Sequence, residues 1–187
     1  MGHNNDSHDF KTNFVSKLRG FTIVELLIVV VVIGILAAIV TVAYTGITAK
    51  ANNTKTLAAV DSWAKAIQLY RAENGSFPTS DSCLGKTTTY VDTGNGPYCW
   101  DVTYWDVKTA FLNQMAPYMN NYPEPDTTDI DSGAYNRRGA FYHTVSSTDH
   151  RIRAIFSGTS TCPSSSAGAL IGTHPYGSGV YCQYQLD

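Results

Sequence analysis

Residues 21–43 form a nearly unbroken apolar run, interrupted only by Thr22, Glu25, Gly34 and Thr41. From residue 26 to residue 40 there is no polar side chain at all. As a helix the run is about 34 Å long, enough for a hydrocarbon core of about 30 Å. It is apolar on every side, whereas a helix lying on a water-soluble core needs only a stripe. From Tyr44 the pattern becomes amphipathic: Leu57, Val60, Ala64, Ile67 and Tyr70 recur at steps of three and four, with Lys55, Asp61, Lys65 and Arg71 mostly between them. No proline occurs between Phe21 and Phe77, so one helix from about Phe21 to Glu73 is expected, stopping at Gly75.

The pattern then shortens. Residues 76–102 are rich in Ser, Thr, Gly and Asp and read as a long connection held by a cysteine bridge. Phe111, Leu112, Met115 and Met119 predict a short helix between Trp105 and Met119, trimmed by Pro117 and Pro123. Strands are expected at residues 140–145 and 151–156, separated by a turn at Ser147-Thr148-Asp149. A third is expected at the C-terminus, where Val180, Cys182, Tyr184 and Leu186 alternate with Tyr181, Gln183 and Gln185. The fold class is therefore α+β: a long N-terminal helix whose second half lies on a small antiparallel sheet of three or four strands. A head of about 140 residues buries enough core for this.

Composition narrows the choice. A hydrophobic content of 43% and twelve Tyr exclude a disordered chain. The absence of a second long apolar run excludes a multi-span membrane protein. The mean hydropathy of −0.14 hides the apolar run, and the formal net charge of −2 gives no sign of a whole-chain polyanion binder. Lys17 and Arg19 immediately precede the run, which favours a cytoplasmic N-terminus and an exported remainder. A secretory signal peptide cut near Thr41-Val42-Ala43 is the competing reading, but the run is longer than an ordinary signal core. Glu25 is costly inside a bilayer and cheap at its edge, so it either reaches the headgroups or has a cationic partner in an assembled state.

Lys17-Leu18-Arg19-Gly20-Phe21-Thr22-Ile23-Val24-Glu25-Leu26 resembles the processing site of the type IV prepilins, a family shared with the type II secretion pseudopilins. The resemblance implies cleavage between Gly20 and Phe21 by a membrane aspartyl prepilin peptidase, N-methylation of Phe21, and a filament-assembly role for Glu25. It divides the chain into a cleaved cytoplasmic leader (1–20), a transmembrane and filament-core half-helix (21–43), an amphipathic half-helix (44–75) and a globular head (76–187). Tyr70-Arg71-Ala72-Glu73-Asn74-Gly75-Ser76-Phe77-Pro78 resembles the family's helix-ending segment. Residues 115–119 with Tyr122-Pro123-Glu124-Pro125 resemble a stretch common to pilins and pseudopilins. One departure is Val42, where proline is often found; Gly34 is the weak point of this helix.

The implied function is that of a structural subunit, polymerised into a type IV pilus for adhesion, twitching motility or DNA uptake. Its implied partners are other copies of itself, the membrane before assembly, the prepilin peptidase, an assembly platform and an extension ATPase. It would pass from a single-pass membrane state to an extracellular filament. Two rivals stand beside this: a type II secretion pseudopilin or minor pilin, and a membrane-anchored surface binding domain that never polymerises.

Other chemistry is weakly signalled. Cys83, Cys99, Cys162 and Cys182 all follow the anchor, so an exported head would form two disulfides. Three connectivities are possible, of which the two local pairs, Cys83–Cys99 and Cys162–Cys182, are preferred. No C-x-x-C exists to suggest zinc, and His3 and His8 lie in the leader. There is no G-x-S-x-G, and His143, His150 and His174 are scattered, so no enzyme and no cofactor are expected. Asp126, Asp129, Asp131 and Gly133 resemble a calcium loop without its closing Glu and read better as a solvated acidic loop. Arg137, Arg138, Arg151 and Arg153, near Tyr135, Phe141 and Tyr142, form the one basic set that nucleic acid could use. After the cut the chain has ten Lys+Arg against thirteen Asp+Glu, so pairing with nearby acids is the simpler expectation.

Overall fold

The computed structural model describes residues 20–91, 98–100, 106–131 and 136–186. Residues 1–19, Trp105, Gly133 and Tyr135 lie outside the described residues. Helix α1 runs Ile23–Asn74, 52 residues. It ends where the sequence provides a left-handed residue: Gly75 has φ 71° and donates its N–H to Arg71 O at 2.8 Å, the single-bond glycine cap of a helix C-terminus. The chain divides into two compact units, Met1–Val42 and Ala43–Asp187. In the first, every described side chain from Gly20 to Val40 is exposed.

The second unit is helix on sheet. Its strands are β1 (Ser82–Cys83), β2 (Ile130–Asp131), β3 (Asn136–Arg137), β4 (Ala140–Ser146), β5 (Asp149–Ser157), β6 (Ala169–Tyr176) and β7 (Gly179–Leu186), with helix α2 (Thr109–Met115) between β1 and β2. The main sheet has the order β1-β4-β5-β7-β6, and every pair in it is antiparallel. β2 and β3 form a separate ribbon. The sheet thus has five strands where the sequence predicted three or four. The additional strands are a two-residue β1 and an edge strand, β6. β6 carries Gly172 and Pro175, and its register shifts between Leu170 and Gly172. Such residues weaken a strand pattern but are tolerated at a sheet edge. The second helix is shorter than the pattern suggested, because Ala116 to Pro117 ends it after Met115.

Residue parity assigns the two faces of the sheet. Ala140, Tyr142, Ile152, Ala154, Phe156, Val180, Cys182, Tyr184 and Leu186 join Ala59, Val60, Trp63, Ala64 and Ile67 of α1 in the main core. Trp63 is its centre. It is fully buried, lies between Phe111 and Tyr122 at centroid distances of 5.7 and 5.6 Å, and donates its indole N–H to Pro123 O at 2.8 Å. The opposite face has a smaller core: Phe141, Ile155 and Tyr181 lie under Tyr90, Trp100, Ile130 and Tyr176. Loops therefore shield part of a sheet face that an isolated sheet would give to water.

The disulfides are the two local pairs, Cys83–Cys99 and Cys162–Cys182, with Cα separations of 5.8 and 5.7 Å. Cys182 sits between Ala154 and Thr173 in the sheet, so its bridge fastens the β5–β6 connection to an inner strand. Closing loops of 16 and 20 residues contributes about 3 kcal/mol each on chain-entropy grounds.

Replacing Trp63 by Ala leaves a cavity and a carbonyl without its donor. Denaturant unfolding of the oxidised full-length chain in detergent is expected to show a loss of about 3–5 kcal/mol. A loss below about 1 kcal/mol, the range of a surface substitution, would refute the central position of this residue.

Candidate functional site

The start of α1 is built by a reciprocal cap. The Thr22 backbone N–H and the Thr22 hydroxyl both donate to Glu25 Oε2 at 2.8 Å, and the Glu25 N–H donates to Thr22 Oγ1 at 3.2 Å. The first helical bond, Leu26 N–H to Thr22 O, measures 3.2 Å. This is a T-x-x-E capping box, and it satisfies donors that a helix start otherwise leaves open. It also sets the Glu25 charge at the positive end of the helix dipole. The spacing is legible in Thr22-Ile23-Val24-Glu25, but the sequence analysis weighs Glu25 as a charge in an apolar run and as a filament-assembly residue, not as half of a helix cap. Gly20 and Phe21 precede the helix; both are exposed, and nothing lies within 4 Å of where a Gly20 Cβ would stand. Downstream, Ile23–Val40 has a mean hydropathy of 3.3, is 0% buried, and is long and apolar enough to cross a membrane.

The other sequence candidates fall in several places on the second unit. The Asp126 N–H is held by Thr56 Oγ1 of α1 at 3.0 Å, and its carboxylate accepts the Thr128 hydroxyl at 3.1 Å. Asp129 lies 3.5 Å from Arg138 Nε, while Asp131 is in β2. Among the described residues no group of three His, Cys, Asp or Glu side chains converges on a metal position.

The four arginines are likewise separated. Arg138 is buried, donating to Tyr98 O and Val91 O at 2.9 Å, and so closes a loop. Arg137 lies over the Trp100 ring at 3.7 Å. Only Arg151 and Arg153 share the outer face of β5. Arg151 forms a two-pronged pair with Asp149 and donates to Gln183 Oε1 at 3.0 Å. Arg153 sits over Phe141 and Tyr181, 5.6 and 6.0 Å from their centroids. Burial holds the Arg153 guanidinium below its ordinary range.

The three histidines of the second unit also stand apart. His143 is 3.7 Å from Asp81, His174 contacts Gln183 at 3.0 Å, and His150 is buried on Phe77 with Tyr142 Oη 2.8 Å from Nδ1.

Residues 16–41 match the family described as the prokaryotic N-terminal methylation motif. The chain therefore carries a prokaryotic N-terminal methylation motif at the start of its apolar helix. The type II secretion system core protein G of Dickeya chrysanthemi is 31% identical over 85 residues, which cover 43% of this chain and 56% of that protein. The core protein G of Klebsiella pneumoniae is 25% identical over 149 residues, 76% of this chain and 85% of the relative. A fimbrial protein of Neisseria meningitidis serogroup B is 33% identical over 70 residues, 37% and 41% of the two chains. The chain spans about half the length of the first of these relatives. No solved structure matches it significantly. The architecture, an apolar N-terminal helix followed by an antiparallel sheet, is α+β and consistent with the type IV pilin fold that the resemblance implied.

Burial, followed by the adjacent Arg153 charge, lowers the His143 pKa below 6.5. The folded state therefore favours neutral His143. Its contribution to stability is present above the unfolded pKa and is lost as pH falls through the folded value. In thermal unfolding between about pH 7 and pH 5, the bracket around an ordinary histidine, His143→Gln should show a shallower decline than the unaltered chain. Parallel curves would contradict this.

Proposed function

We propose that the chain is a prepilin-type structural subunit. It inserts as a single-pass membrane protein, is cut between Gly20 and Phe21, is methylated on Phe21, and polymerises into an extracytoplasmic filament. The observation that carries this reading is the wholly exposed apolar helix whose first turn bears a single carboxylate. Cleavage before the helix, unlike signal-peptide cleavage after it, keeps the helix on the mature chain.

Before assembly, lipid covers the helix. In a filament, the helices of other copies cover it. Glu25 then leaves the membrane edge for an apolar bundle, where a bare carboxylate is expensive. The new α-amine of Phe21 on a neighbouring copy is a suitable partner. Thr22 engages Glu25 Oε2, which leaves Oε1 to accept from that amine. Such a pair contributes registry more surely than stability. The partners this requires are the prepilin peptidase, an assembly platform and an extension ATPase. A surface pilus and a type II secretion filament both fit this cycle; the core protein G relatives favour the second and the fimbrial relative the first.

N-terminal peptide mass analysis of the native protein should find a chain starting at methylated Phe21. A start at Met1 or Tyr44 would remove the filament reading. Glu25→Ala is expected to accumulate normally in the membrane and to lose sheared filaments by about tenfold or more, the scale of one lost charge-assisted bond. Normal filament yield would exclude the assembly role of Glu25.

A further inference from the structure

Two unmatched charges of opposite sign stand at different heights and on different faces of the second unit. Arg153 is half buried on the outer face of β5. Its Nε is buried without a hydrogen-bond partner, and among the described residues it makes no ion pair. The nearby acids do not neutralise it. Both Asp149 oxygens are engaged by Arg151, and Asp81 accepts the Thr144 N–H at 2.7 Å and faces His143. The guanidinium makes no hydrogen bond among the described residues; because Nε is sealed from solvent, an arriving acceptor would meet the terminal nitrogens.

Asp126 is the converse. Its carboxylate meets only the hydroxyl of Thr128, and among the described residues it pairs with no cation. Its segment is already rigid. Pro123 O holds the Trp63 indole, Pro125 is buried, and the Asp126 N–H is fixed to Thr56. Little freedom is therefore lost when this carboxylate is engaged.

Their positions differ along the helix axis. β5 begins beside His150, which stacks on Phe77 just past the end of α1. It finishes at Ser157, which exchanges two hydrogen bonds of 2.8 and 3.0 Å with Asn53. Asp126, on Thr56, stands at the Ser157 end and beside α1. Arg153 lies four residues before Ser157, about 13 Å along β5, on the face turned away from α1.

We propose that Arg153 receives the Asp126 carboxylate of a second copy of this chain, in a head-to-tail contact that repeats along the filament. This rests on the filament reading given above. Donor and acceptor lie on different surfaces, so the contact is heterologous and continues from copy to copy. The face is a poor platform for nucleic acid, because Phe141 and Tyr181 are only 2% and 6% exposed and offer no ring to a base.

The test is a charge exchange in the full-length chain, expressed in cells that assemble it, with sheared filaments measured against total cell-associated protein. Arg153→Glu and Asp126→Arg are each expected to lower filament yield about tenfold or more with both disulfides formed, as repulsion replaces a paired contact; the double variant should recover most of it. Asp126→Cys with Arg153→Cys should give a ladder of cross-linked copies under non-reducing conditions, a readout that survives if the glutamate variant misfolds. Normal assembly of both single variants, or loss without recovery and without a ladder, overturns the contact while leaving methylated Phe21 and the filament intact. Equal filament yield with loss of duplex-DNA retention on Arg153→Glu filaments assigns the face to nucleic acid and also overturns it. If the unaltered chain yields no filaments, the parent reading fails and the contact falls with it.

Discussion

An apolar helix with no partner in its own chain constrains everything else. Between Ile23 and Val40 nothing in the described chain covers the side chains, and the environment must do so. At about 25 cal/mol per Å² of apolar surface, leaving such a helix in water is prohibitive, so its two acceptable surroundings are lipid and other apolar helices. Exchange between these two is nearly neutral for the aliphatic residues, because hydrocarbon tails and leucine side chains are similar media. On the filament reading proposed above, a polar group would have to decide when and where the exchange occurs, and Glu25 would be that group. The Thr22 cap keeps its carboxylate at a defined position instead of free to rotate.

The second unit meets a different demand. Its helix segment supplies a stripe of Ala59, Val60, Trp63, Ala64, Ala66 and Ile67, and a five-stranded sheet has two faces to cover. The inner face uses α1 and α2. The outer face is completed by loops whose aromatic residues, Tyr90 and Trp100, are set by a disulfide and by the buried Arg138. Arginine serves here partly as a flat, packable body: Arg137 on Trp100 and Arg153 on Phe141 and Tyr181 cover rings that would otherwise face water. The tyrosines of the sheet are comparably committed. Tyr142 and Tyr184 donate to Pro78 O and Pro163 O, and burial raises the pKa of both.

Much of this was legible from residue order. The apolar run, the amphipathic stripe and the strictly alternating C-terminal strand each carry a single period, and each became the expected element. β6 was not legible, because Gly172 and Pro175 break its pattern and its side chains are mostly exposed; only its pairing with β7 makes it a strand. Trp63 is missing from the stripe read from the sequence, although it sits three residues after Val60 and four before Ile67 and so fits the same spacing. At the N-terminus, a resemblance pointed to Gly20, Phe21 and Glu25, but the capping box needed only local spacing. The basic set failed as a set. Adjacent residues in a strand or bridge point to opposite sides, so Arg137 and Arg138 went to a ring stack and a buried loop clasp, while Arg151 and Arg153, two apart, stayed together.

The two disulfides also set how far the chain can lengthen under tension. A pulled polypeptide that loses its fold releases hidden contour at about 3.4 Å per residue. The bridge from Cys83 to Cys99 withholds 16 residues, about 55 Å, and that from Cys162 to Cys182 withholds 20, about 70 Å. The second loop contains all of β6 and the hairpin into β7. An oxidised chain that yields therefore extends less than its reduced form by about the sum of those lengths. Its C-terminal hairpin remains a closed ring from which refolding can restart.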